Sequence, residues 1–196
     1  LLDPPFVEGA VGLPDGRQLG FAEYGVPHGP AIFWFHGTPG ARRQVPPAAR
    51  TLAAERGVRL IALERPGIGD STPHLYNEVV DYVADVTVVA DRFGIGRFGA
   101  IGLSGGGPYV LACAAALPDR FTAGAVLGGI APTQGDDAVD GGAMGFASRL
   151  VPVVERLRTP LGHGLSAMVR VLNRASSQVF DLYMSLSPEG DRAVFA

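Results

Sequence analysis

Ser104 stands in the run Gly102-Leu103-Ser104-Gly105-Gly106, a Gly-x-Ser-x-Gly pattern between an apolar stretch and a stretch of helical character. A strand that turns sharply into a helix can present a serine hydroxyl as a nucleophile. That geometry strains the serine backbone and crowds the residues two positions either side. Glycine at 102 and 106 removes the β-carbons that would collide there. The corresponding chemistry is attack of Ser104 Oγ on an acyl carbon, with an acyl-enzyme as intermediate. The chain holds 28 glycines, so the five-residue pattern carries little alone and the flanking elements must support it.

They do. Arg97-Phe98-Gly99-Ala100-Ile101-Gly102-Leu103 is a short apolar run suited to a buried parallel strand, and Tyr109 to Leu117 reads as a helix ended by Pro118. Earlier, Ala31-Ile32-Phe33-Trp34-Phe35 reads as a second buried strand running into His36-Gly37-Thr38-Pro39-Gly40. A Gly-rich loop at a strand's carboxyl end can aim backbone N–H groups at a developing oxyanion, each worth about 10²- to 10³-fold in rate. Thr38 and Gly105 are the expected donors.

The elements that must hold these residues alternate. Apolar strand-like runs fall at about 31–35, 58–63, 97–103 and 123–130, with helical stretches at about 41–56, 77–93 and 106–117. This predicts an α/β fold with right-handed crossovers and a mostly parallel sheet covered by helices on both faces. The first residues differ: Phe6 to Val11 and Arg17 to Tyr24 flank Pro14-Asp15-Gly16, which predicts an antiparallel hairpin at the sheet edge. Of the 196 residues 47% are hydrophobic and the net charge is only -3, without a basic cluster, which argues against a nucleic-acid partner. Cys113 is the one cysteine and reads as a packed core thiol. No run approaches the ~18 apolar residues of a membrane span, no His, Cys, Asp and Glu cluster has metal-ligand spacing, and a cytoplasmic location is expected. No cofactor is expected.

In these motifs the chain resembles the α/β-hydrolases. His36-Gly37-Thr38-Pro39-Gly40 resembles their oxyanion loop, Gly102-Leu103-Ser104-Gly105-Gly106 their nucleophile elbow, and Arg65-Pro66-Gly67-Ile68-Gly69-Asp70-Ser71 the loop after their fourth strand. The resemblance implies an α/β-hydrolase core over 1–132 and a helical cap over 133–196. It implies Ser104 as nucleophile, Thr38 and Gly105 as oxyanion donors, and His36, Gly37, Gly102 and Gly106 as loop and elbow supports. The implied reaction is hydrolysis of a carboxylic ester or related acyl compound, with a small-molecule substrate.

Past Pro132 the composition shifts to the polar, Gly-rich run Gly135 to Gly142, then to helical spacing over about 143–158, 161–174 and 175–186. The family's chain order is Ser, then Asp or Glu, then His. No strand pattern follows the expected cap, so the last strands and two triad members are expected to be missing, and residues 1–196 alone to be inactive. Weak substitutes are Asp136 or Asp137 as the acid and His163 as the base. Asp70 and Asp91 read as a turn residue and a surface ion-pair partner, and Arg42-Arg43 as the solvated opening of a helix or a contact to an acidic substrate group. Two other readings stay open: a non-catalytic binding module of the same fold, and one half of an enzyme completed by a C-terminal segment or by a homo-oligomer.

Overall fold

The computed structural model describes residues 4–131, which belong to a compact unit spanning Leu1–Ala131. The expected hairpin forms: β1 (Val7–Gly12) and β2 (Gln18–Gly25) pair antiparallel around Pro14-Asp15-Gly16. Then come β3 (Ala31–Phe35), α1 (Pro47–Glu55), β4 (Arg59–Leu63), α2 (Tyr82–Arg92), β5 (Phe98–Leu103), α3 (Gly107–Ala116) and β6 (Phe121–Leu127). Single 3-10 turns, Val79–Asp81 and Ser104–Gly106, lead into α2 and α3. The six strands lie in the order β1-β2-β4-β3-β5-β6. β2 pairs antiparallel with β4, and β4, β3, β5 and β6 are parallel neighbours.

Alternation along the strands divides the core in two. Phe33, Phe35, Ile61 and Leu63 pack with Val83, Val86 and Val89 of α2 and Val110 and Cys113 of α3. Trp34, Leu60 and Ala62, one residue out of phase, join Tyr24 and Ala53 of α1. Helices therefore cover both faces, as two-sided apolar strands require. The Cys113 thiol is fully buried and burial pushes its pKa up to about 12, so it is a core thiol.

Several expected boundaries move; the helix expected from about 77 begins at Tyr82, after a 3-10 turn, and the strand expected from about 123 begins at Phe121. The helix expected from about 41 begins at Pro47, because Pro46 and Pro47 each push the preceding residue out of helical conformation; Pro46 itself has ψ 143°. Arg42 and Arg43 therefore lie in the loop before the helix and do not open it. The last strand ends at Leu127 instead of about 130, where Gly128 and Gly129 give up the ladder. The expected cap over 133–196 lies outside the described residues.

Parallel pairing sets where the loops emerge. Phe35 is level with Leu63 on β4 and Gly102 on β5. The residues that follow each strand, His36, Glu64 and Ser104, leave the same sheet edge side by side. The chain passes from β3 to β4 on one side and later to β5 on the other, so β3 is where the strand order reverses, the position at which open α/β sheets form their binding crevice.

One buried ion pair fastens the hairpin to α2. Arg17 donates to both carboxylate oxygens of Asp85 at 2.8 and 2.9 Å, and the Tyr76 hydroxyl donates to the same carboxylate. Asp85 keeps only 7% of its side chain exposed, whereas Asp91 on the same helix pairs with Arg120 at 63% exposure. Asp85→Asn should lower unfolding stability by about 3 kcal/mol, because it removes the buried counter-charge and leaves the Arg17 guanidinium only the exposed Asp15 carboxylate. Asp91→Asn should cost less than about 1 kcal/mol. Urea denaturation of the two variants checks this, and equal losses would contradict it.

Candidate active site

The elbow begins with a backbone that L-residues avoid. Ser104 has φ 49°, the only described non-glycine residue with positive φ, and it ends β5 where the chain tightens into the 3-10 turn Ser104–Gly106. Such strain persists only where the surroundings enforce it. They do so here by close backbone packing. A β-carbon on Gly102 would lie 2.5 Å from the Gly106 carbonyl oxygen, and one on Gly106 would overlap the Phe35 carbonyl. Gly106 is thus required by the approach of the elbow to β3's exit, and Gly102 by the tight turn of the elbow back onto α3.

The same approach brings together the two expected donors. A β-carbon on Gly105 would sit 3.5 Å from Thr38 N and 2.5 Å from Thr38 Oγ1. The Gly105 N–H lies in the first turn of a helix, where N–H groups have no intrahelical acceptor. Thr38 N–H has no acceptor among the described residues. The neighbouring Gly37 N–H is instead taken by Gln44 Oε1 at 2.7 Å, and Gln44 Nε2 donates to the Pro39 carbonyl at 3.2 Å. Gln44 thereby braces the loop and leaves Thr38 as its available amide. Gly37 itself lies against the serine: a β-carbon there would be 3.6 Å from Ser104 Cβ.

His36 holds the loop's root. Its ring is 1% exposed; Nε2 accepts the Arg65 backbone N–H at 3.4 Å, and Nδ1 donates to the Gly37 carbonyl at 2.8 Å. Burial, and then the charge of Arg65, depress its pKa to about 4. A ring so engaged and so reluctant to take a proton is a structural support.

The loop after β4 is anchored more deeply than its motif suggests. Glu64 is buried, yet accepts from Arg42 Nη1 and the Asp70 N–H, both at 2.9 Å, while Arg42 Nη2 pairs with Asp70 at 2.8 Å. Ser71 Oγ accepts the Gly20 N–H at 2.8 Å, tying the loop to β2. Arg42 also reaches Glu8, and so does Arg43. These arginines are internal ion-pair partners and not free groups for an acidic substrate. Asp91, expected as a surface ion-pair residue, pairs with Arg120. His28 and His74 are exposed, His74 edge-on to Tyr76. Asp136, Asp137 and His163 lie outside the described residues. Among the described residues no three His, Cys, Asp or Glu side chains gather as a metal site, and no helix is long and apolar enough to cross a membrane.

Glu64 and Gln44 escaped the sequence reading, and Arg65 entered it only as one letter of a loop motif. Gln44 acts within its own loop, whereas Arg65 and the Arg42 partner of Glu64 reach across 22 to 40 residues, which the alignment of β3, β4 and β5 brings together.

His36 makes stability depend on pH. The unfolded ring titrates near 6.5 and the folded one at about 4, so below 6.5 the unfolded chain binds the extra proton. Stability is complete above that value and falls as pH drops toward about 4, by up to roughly 3 kcal/mol. His36→Asn should flatten this part of the stability–pH curve measured by chemical denaturation. An unchanged slope would contradict the assignment.

Comparison with known proteins agrees with this architecture. Residues 30–182 match the family described as alpha/beta hydrolase fold. The chain is 31% identical over 151 residues to a proline iminopeptidase of Neisseria meningitidis serogroup A, covering 76% of this chain and 48% of that protein. It therefore spans about half the length of the curated relatives it matches. Among solved structures, a hypothetical protein of Pseudomonas aeruginosa PAO1 is similar with a TM-score of 0.59 and 27% identity, covering 80% of this chain and 52% of that one. A bacterial membrane phospholipase A is similar with a TM-score of 0.57 and 25% identity, over 63% of this chain and 40% of that one. The match over most of its length, together with the strand order and the three loops at one sheet edge, makes the chain a member of the α/β hydrolase fold family.

Proposed function

We propose that the protein is a serine hydrolase that cleaves a carboxylic ester or related acyl compound through an acyl-enzyme at Ser104. The observation that carries this reading is the pairing of a strained serine with an available amide: Ser104 at φ 49°, beside a Thr38 N–H without an acceptor among the described residues. A binding module has no use for a serine held in this backbone, since the strain brings no affinity.

In the proposed reaction Ser104 Oγ attacks the carbonyl carbon and passes its proton to a general base. The carbonyl oxygen becomes an oxyanion facing the Thr38 and Gly105 amides. Collapse of the tetrahedral intermediate expels the alcohol, which takes the proton back from the base, and water then releases the acid by the same steps in reverse order. His36 is unsuited to be that base, because both ring nitrogens are engaged and its pKa lies at about 4. The base and its orienting acid belong to residues beyond 131, where Asp136, Asp137 and His163 are the candidates of this chain.

The 31% identity to a proline iminopeptidase supports a second substrate class for the same nucleophile, the amide of an N-terminal proline. Hydrolysis of a proline arylamide set against that of a short p-nitrophenyl ester separates the two.

In the intact protein a fluorophosphonate probe should label Ser104, and Ser104→Ala should abolish labelling and lower turnover by about 10⁴-fold or more. Thr38→Ala should change turnover little by comparison, because the backbone amide and not the side chain is used. Labelling that persists in the alanine variant, or a wild-type protein that is never labelled, would overturn the nucleophile and favour the binding-module reading.

A further inference from the structure

Among the described residues no carboxylate pairs with the Arg65 guanidinium. Among the described residues Arg17, Arg42, Arg43, Arg59 and Arg120 pair with Asp or Glu, while Arg56, Arg92 and Arg97, which do not, are exposed to water. Arg65, half-buried beside Ser104, pairs with none and spends its donors on the two loops of the candidate site. Nη1 donates to the His36 carbonyl at 2.9 Å and the Gly105 carbonyl at 3.3 Å. Nη2 donates to the Gly37 carbonyl at 2.7 Å and to Thr38 Oγ1 at 2.8 Å. The Tyr109 ring lies under the guanidinium, its centroid 5.6 Å from Cζ. A desolvated cation is costly to keep without a counter-charge, and this one is kept where a negative charge would develop.

The shortest of these bonds has a further consequence. The Gly37 carbonyl belongs to the same peptide unit as the Thr38 N–H. A charged donor on the carbonyl oxygen draws electron density toward it and makes that N–H a stronger donor. The bond to the Gly105 carbonyl meanwhile fixes the elbow to the loop. Resting on the serine-hydrolase reading above, we infer that Arg65 is a positioning residue for the oxyanion site: it locks the 36–38 loop to the elbow, polarises the Gly37–Thr38 peptide, and holds beside the oxyanion a charge that no carboxylate among the described residues offsets.

This role predicts an effect on the transition state and not on substrate binding. The readouts are kcat and KM for a short p-nitrophenyl ester, and the inhibition constant of an alkyl trifluoromethyl ketone, whose serine hemiketal carries the same oxyanion. In the intact protein Arg65→Met should lower kcat by about 10- to 100-fold, keep KM within about twofold, and weaken the ketone by the same factor as kcat. Arg65→Lys keeps the charge but reaches fewer of the four acceptors, so its losses should be about 3- to 10-fold in both readouts. A folded methionine variant that loses thermal stability yet keeps kcat and ketone affinity within about twofold would reduce Arg65 to a structural brace and overturn the inference. If the methionine variant does not fold, the lysine variant decides: parallel losses support the role, and values within about twofold of wild type overturn it. A wild-type protein that neither cleaves the ester nor binds the ketone overturns the serine-hydrolase reading itself, and the inference with it.

Discussion

The exits of β3 and β5 approach so closely that no β-carbon fits between them, and the candidate site depends on that contact. The Phe35 carbonyl occupies the space a Gly106 side chain would need, and the Gly106 carbonyl occupies that of Gly102. Parallel pairing with Phe35 level with Gly102 sets the approach, and the crowding allows Ser104 to be held at a positive φ. It also places Thr38 against Gly105, so that strain at the serine and convergence of the two amides have one origin.

Around this contact the molecule places polar groups where a sheet edge would otherwise be open. Gln44 satisfies Gly37, and the Thr38 N–H has no acceptor among the described residues. Glu64, buried, collects Arg42 and the Asp70 amide, and so fixes the loop from which Arg65 extends. A buried carboxylate with several donors is costly to disturb by removing one partner, which makes such a network rigid. In the proposed reaction this rigidity would serve preorganisation, since donors that need not move to meet a developing charge contribute most to its stabilisation.

Much of this was legible in the sequence, for reasons that can be assigned residue by residue. The run Ala31–Phe35 coincides with β3, and the runs at 58–63 and 97–103 overlap β4 and β5 within a residue or so at one end, because two-sided strands are continuous in hydrophobicity. The turn at Pro14-Asp15-Gly16 announced the edge hairpin. The Gly-rich loop and the elbow stood out because close backbone approach leaves glycine in fixed places. α1 starts later than its propensity suggests, since the arginines before it suit a helix while Pro46-Pro47 carry the opposing signal. Arg65 and Glu64 could not be assigned, because nothing local distinguishes an arginine that will meet four loop acceptors from one that will face water. Their meaning comes from strand order.

The central claim, that Ser104 is a nucleophile facing two converging amides, is tested most directly by a crystal structure of the intact protein after reaction with an organophosphate. The account predicts phosphorus bonded to Ser104 Oγ and one phosphoryl oxygen about 2.7–3.1 Å from both Thr38 N and Gly105 N. An adduct on another residue, or a Ser104 adduct whose phosphoryl oxygen points away from both amides, would contradict it.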